Sequence, residues 1–129
     1  MSDNFTGRWL VSEYVFNPDG TFAGIVQQKR YVERKSDTHL QVIQDCEPSP
    51  ELASHPMAKF KGHWEFDLHI NGNQREYHGL DVVGTGIPYG KNTMLGQGIW
   101  TRFGHNFTSF GVLPTPDRQL TGGAFFNVN

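Results

Sequence analysis

The densest run of ionisable side chains is HWEFDLH, residues 63–69, in which His63, Glu65, Asp67 and His69 recur at every second position. Imidazoles and carboxylates could bind zinc or move protons, provided that at least three converge on one point with a coordination position left open. In an extended strand those four share one face, and Trp64, Phe66, Leu68 and Ile70 share the other. A two-residue turn at Asn71-Gly72 would set Ile70 opposite Asn73, and hence Glu65 opposite His78, Asp67 opposite Glu76 and Phe66 opposite Tyr77. Lys59 and Lys61 lie on the histidine side. Enclosing that side would strip water from several charges at several kcal/mol each, whereas enclosing Trp64, Phe66 and Leu68 contributes about 1.5–3 kcal/mol apiece. The row is therefore expected to face solvent. No metal is assigned to it, although His63, Glu65 and His78 could trap one adventitiously.

Short strands are expected to carry these side chains. FTGRWLVSEYVF (5–16) and TFAGIVQQKRYVER (21–34) flank NPDG, whose Pro and final Gly suit a type I turn closed by a left-handed residue. KSD (35–37) reverses the chain into THLQVIQD. The three prolines of CEPSPELASHPMA (46–58) exclude a central strand, and Ser49-Pro50 suits one helical turn over 49–54. The HWEFDLH hairpin comes next, then GTGIPYGKNT (84–93), which reads as a Gly-rich loop able to cap a barrel mouth. MLGQGIWTRFG, HNFTSFGVLP and RQLTGGAFFNV read as three more strands, with turns near Gly104 and over 115–117. Eight strands joined by short links predict an all-β, eight-stranded antiparallel up-and-down barrel; an open sandwich is the competing architecture.

A length of 129 residues suits one domain, 1–129. A net charge of -2, with both signs scattered, gives no field to hold phosphate backbones or anionic lipid, so neither nucleic acid nor membrane is an expected partner. A small-molecule ligand and a second copy of the chain, as a homodimer, remain. Cys46 is the single cysteine, which leaves no intrachain disulfide or cysteine-based zinc cage, and a cytoplasmic location is expected. Asn92 follows Gly90-Lys91 where a phosphate loop needs Ser or Thr. G-x-S-x-G, HExxH and dinucleotide fingerprints do not occur, and no cofactor is implied.

Gly7-Arg8-Trp9 on the first strand, together with the meander, resembles the G-x-W opening of the lipocalins and the wider calycin group. The resemblance implies a barrel closed at one end by Trp9, with an Arg from near the last strand packed across the indole, a part open to Arg118 or Arg102. It also implies that Trp9 points inward. Val11, Glu13 and Val15 then do so as well, placing one carboxylate in an apolar row. Such a group is either an ion-pair member, with Arg30 a candidate partner, or an acid/base group of raised pKa.

Glu13, His105 and Tyr77 are thus the candidate catalytic residues, with His105 expected at an exposed turn after Gly104. Trp9, Trp64, Phe66, Tyr77, Trp100, Arg102, Phe110 and Phe125 are the candidate ligand-binding residues. Gly98, Gly111, Gly122, Gly123 and Ala124 among these rings leave room for one small molecule, although the same rings could simply be core. Trp100 and Arg102 share a face, and a guanidinium on an indole could hold a polar head group. The expected function is binding of a small, mainly apolar or aromatic organic molecule. The alternative is a cofactor-independent lyase, isomerase or cyclase acting on such a molecule.

Overall fold

The computed structural model describes residues 6–79, 81–90, 92–101, 104–115 and 118–127, without the side chains of 114–115 and 124–127. Among the described residues nine strands follow one another round a closed barrel: β1 (Gly7–Phe16), β2 (Phe22–Ser36), β3 (His39–Pro48), β4 (Gly62–Asn71), β5 (Gln74–His78), β6 (Val82–Pro88), β7 (Thr93–Trp100), β8 (His105–Thr115) and β9 (Arg118–Asn127). Each strand is antiparallel to the next, and β1 closes on β9 in parallel. This corrects the expected eight antiparallel strands, and the two differences have one cause. Every reversal flips direction, so in a ninth strand the chain again runs as in the first, and an odd count forces a parallel seam.

The additional strand is β6, which takes up the first half of the stretch expected to be a loop. It pairs with β5 from Arg75↔Gly86 to His78↔Val83 and with β7 from Val82↔Trp100 to Pro88↔Met94. Its glycines mark crowding rather than a turn. A Cβ on Gly84 would lie 2.8 Å from Gly98 Cα, and one on Gly86 would lie 2.7 Å from the Tyr77 hydroxyl.

The NPDG turn forms as expected, with Gly20 at φ +89° and its N–H donating to Asn17 O at 2.9 Å. The β4–β5 register differs from expectation by two residues: Asp67 faces His78, Leu68 faces Tyr77 and His69 faces Glu76. The turn is Gly72-Asn73, and only Gly72 has positive φ, at +63°, which suits a II′ turn with Gly first. A shift of two leaves the faces unchanged, so Trp64 and Leu68 are buried while His63, Glu65 and His69 are exposed.

Between β3 and β4 the chain makes two 3₁₀ turns, Pro50–Leu52 within the expected segment and a second, Pro56–Phe60, that was not anticipated. Ser49 does not cap the first; its Oγ accepts from Ile25 N at 3.1 Å and ties the segment to β2. Gly24 makes this approach feasible, since a Cβ there would lie 2.7 Å from Leu52 Cγ. Leu52, Met57 and Phe60 join Val15, Val26, Cys46 and Trp64 in one core cluster, and Trp9, Val11, Val32, Leu40, Val42 and Leu68 form a second. Trp9 points inward, as expected. Arg118 is exposed opposite Leu10 and does not cross the indole; Arg102 lies outside the described residues. Among the described residues no helix is long and apolar enough to cross a membrane.

Candidate functional site

Phe66 and Tyr77 pack against both core clusters, and a cavity of about 120 Å³ lies within the barrel. Its walls differ in kind. The β4–β8 side presents Phe66, Leu68, Tyr77, Val82, Met94, Trp100 and Phe107. Their rings meet at angles: Phe66 is T-shaped to Tyr77 and to Trp100, with centroids 6.1 and 6.2 Å apart, and Tyr77 and Phe107 are 6.2 Å apart. The Tyr77 hydroxyl sits between Gly86 and Gly96, where a Cβ on either glycine would approach it to 2.7 or 2.8 Å. The missing side chains on β6 and β7 are therefore what admit this phenol.

The β1–β3 and β9 side is mixed: Val32, Leu40 and Val42 stand at its apolar end, and Glu13, Gln28, Arg30, Gln44, Gln119 and Thr121 supply its polar groups. Gln28 Nε2 donates to Glu13 Oε1 at 2.9 Å, and its Oε1 accepts from Arg30 Nη2 at 2.7 Å. Arg30 Nε donates to Gln44 Oε1 at 3.1 Å. The Gln28 amide thus links a carboxylate to a guanidinium that makes no ion pair with it. Beside them in register on β9, Thr121 lies opposite Glu13 and Gln119 opposite Val11. Thr121 Oγ1 and Gln119 Oε1 are buried with no hydrogen-bond partner.

Burial pushes the Glu13 carboxyl above the usual range, against the pull of Arg30 and of the Gln28 hydrogen bond. Both side chains are half-buried and both line the cavity. Burial also raises the Tyr77 phenol, with Arg30 acting the other way, so the hydroxyl stays protonated as a donor. Burial above all, then Glu13, pushes the Cys46 thiol up to about 12, leaving it an inert core group.

Of the candidate residues, Glu13, Tyr77, Phe66 and Trp100 meet round the cavity, and Phe110 borders it while 39% exposed. Trp9 and Trp64 are core residues set back from it. Trp64 Nε1 donates to Phe60 O at 3.0 Å, and its ring centroid is 5.6 Å from that of Trp100. Arg102 and the Phe125 side chain lie outside the described residues. His105 opens β8 but is only 6% exposed, which corrects the expected exposed turn; it does not line the cavity, and its Nδ1 has no partner. Gln28, Gln44, Gln119 and Thr121 were not anticipated. The signal for the first two was parity: Gln28 and Arg30 alternate with the residues between Val26 and Val32, and Gln44 stands between Val42 and Cys46, all on the inner side.

The HWEFDLH row is on the outer wall. His63 bridges Asp45 and Glu65, with Nδ1 2.9 Å from Asp45 Oδ1 and Nε2 2.8 Å from Glu65 Oε2, while His39 Nε2 is 2.7 Å from Asp67 Oδ1. The His39 and His69 rings lie parallel at 4.8 Å, a stack whose nitrogens do not converge. Among the described residues no group of three or more His, Cys, Asp or Glu is placed to hold a metal ion. No protein-family model matches the sequence and no curated protein matches it, so the functional argument stands on the barrel and its cavity.

Proposed function

We propose that the protein is a calycin-like, cytoplasmic barrel that binds one small, mainly apolar or aromatic organic molecule in its cavity. The observation that carries this reading is a cavity with an aromatic wall facing one that mixes Val32, Leu40 and Val42 with polar groups, among which Gln119 Oε1 and Thr121 Oγ1 lack partners. A buried polar atom without a hydrogen bond costs about 1–3 kcal/mol, which a ligand's polar group offsets. The size is right for one ring: an apolar cavity of about 150 Å³ accepts benzene. Gly7-Arg8-Trp9, with the indole turned inward, supports the calycin likeness, while the ninth strand and the parallel seam set this barrel apart from the eight-stranded pattern.

Trp100 on the wall makes indole fluorescence the natural probe. Titration with phenol or toluene is expected to give a saturable change, weakened at least tenfold by Val42→Phe, which fills the cavity from β3. A folded wild-type protein that responds to no ring-sized probe would refute the binding reading. A second reading, as a cofactor-independent lyase, isomerase or cyclase, is favoured by the raised Glu13 carboxyl and the Tyr77 phenol on opposite walls of one cavity. It requires turnover that Glu13→Gln abolishes without unfolding the chain.

A further inference from the structure

We propose that the molecule bound in the cavity is a small aromatic carboxylate, its ring on the β4–β8 wall and its anionic group on Arg30. This rests on the cavity reading above and adds the charge and orientation of the occupant.

The argument begins with hydrogen-bond capacity. A guanidinium carries five N–H donors in a planar fork and remains charged in proteins. Arg30 commits Nε to Gln44 and Nη2 to Gln28, both neutral amide oxygens, and among the described residues its Nη1 makes no hydrogen bond. No carboxylate of the described residues lies within ion-pair distance of it. Buried charges are ordinarily paired. Here the carboxylate of Glu13 is held off by the intervening amide of Gln28 and is itself biased by burial toward its neutral form.

Gln28 and Gln44, both buried, fix the plane of the fork, so Arg30 is positioned before any ligand arrives. A planar anion that accepts two parallel N–H bonds is the natural complement of such a fork, and a carboxylate has that geometry. The remaining unpaired groups agree. The Thr121 hydroxyl can turn to donate, and the Gln119 amide, nearly the same shape either way round, can present its NH₂. On the far side, Phe66, Tyr77 and Trp100 offer ring edges and faces to a flat apolar body.

The test compares benzoate with benzyl alcohol, which is close in size and neutral, by calorimetry and indole fluorescence. Benzoate is expected to bind the wild type at least tenfold more tightly than benzyl alcohol. Arg30→Gln should weaken benzoate on the order of tenfold or more and benzyl alcohol much less, as expected for loss of charge-assisted bonds. Arg30→Lys, which keeps the charge but not the fork, should fall between wild type and Arg30→Gln, and it guards against a folding defect in the latter. Glu13→Gln removes the carboxylate that competes for the guanidinium and should tighten benzoate binding.

Benzyl alcohol binding with benzoate excluded would overturn the carboxylate assignment while leaving the cavity reading standing. Loss of benzoate in Glu13→Gln, with Arg30→Gln unaffected, would move the anchor to Glu13 and overturn it equally. Failure of both probes to bind a folded wild type would count against the cavity reading itself.

Discussion

Strands β1 and β4 both carry a carboxylate beside bulky apolar residues and both pair with a neighbour in a hairpin, yet their carboxylates end in opposite surroundings. On β4, Glu65 stands on the outer face against the imidazole of His63, with water around both. On β1, Glu13 stands on the inner face in the row of Trp9, Val11 and Val15, and reaches a cation only through the amide of Gln28. The difference is one of parity. On β4 the apolar residues occupy one parity class and the ionisable ones the other, so the sheet sorts them to opposite faces. On β1 the carboxylate shares the class of the apolar residues and is carried inside with them. A crowd of ionisable groups therefore marks the wetted wall of this barrel, and a lone one in an apolar row marks its cavity.

The comparison can be broken most forcefully on β4 itself. If burial and not the charged row dominates that strand, Trp64→Ala should cost about 3–5 kcal/mol in urea denaturation. The indole is only 4% exposed, touches Phe60 and Trp100, and leaves Phe60 O without its donor when removed. A loss below about 1 kcal/mol would mean that the inner face of β4 is not the core of this wall.

Glu13→Gln sharpens the other half. Burial raises the folded-state pKa of Glu13 above its unfolded value, with Arg30 and Gln28 opposing. Its contribution to stability is then fully present at pH below the unfolded value and is lost as pH rises through the folded one. Denaturation midpoints measured across this range should therefore coincide in acid and diverge toward neutral pH, with Glu13→Gln the more stable. The same difference at every pH would show that Gln28 and Arg30 offset burial completely.

Much of this geometry could be read from residue order alone. The outward histidines and the NPDG turn needed only alternation and turn chemistry, and closure into a barrel followed from the short links between strands. Strand β6 was hidden because Gly84 and Gly86 resemble loop residues, and their reason for being glycine, the approach of Gly98 and of the Tyr77 hydroxyl, is a tertiary contact. The missed strand in turn concealed the parallel seam, and with it the pairing that sets Gln119 and Thr121 beside Glu13. Gln28 was obscured by lying in QQKR, a run that looks solvated until the alternation of Val26 and Val32 is extended through it. The burial of His105 has no local sign at all; it depends on where the ends of β7 and β8 meet the rest of the barrel.

The smallest expected effect concerns the outer row, and it separates a titration from a stability. His63 is exposed, and its imidazole is raised above the usual histidine value, first by its hydrogen bond to Glu65 and then by that to Asp45. Its contribution is present below the unfolded histidine value and disappears as pH rises through the raised one, opposite in medium to Glu13 but of the same sign. An NMR titration should place His63 above an ordinary imidazole. Glu65→Gln should bring it down further than Asp45→Asn, and added salt should lower it too, because exposed pairs are screened. Neither substitution should measurably move the denaturation midpoint, since exposed pairs contribute little. A midpoint that followed the His63 titration would show that the outer wall carries structural weight after all, and the division between a wetted row and a load of buried rings would have to be redrawn.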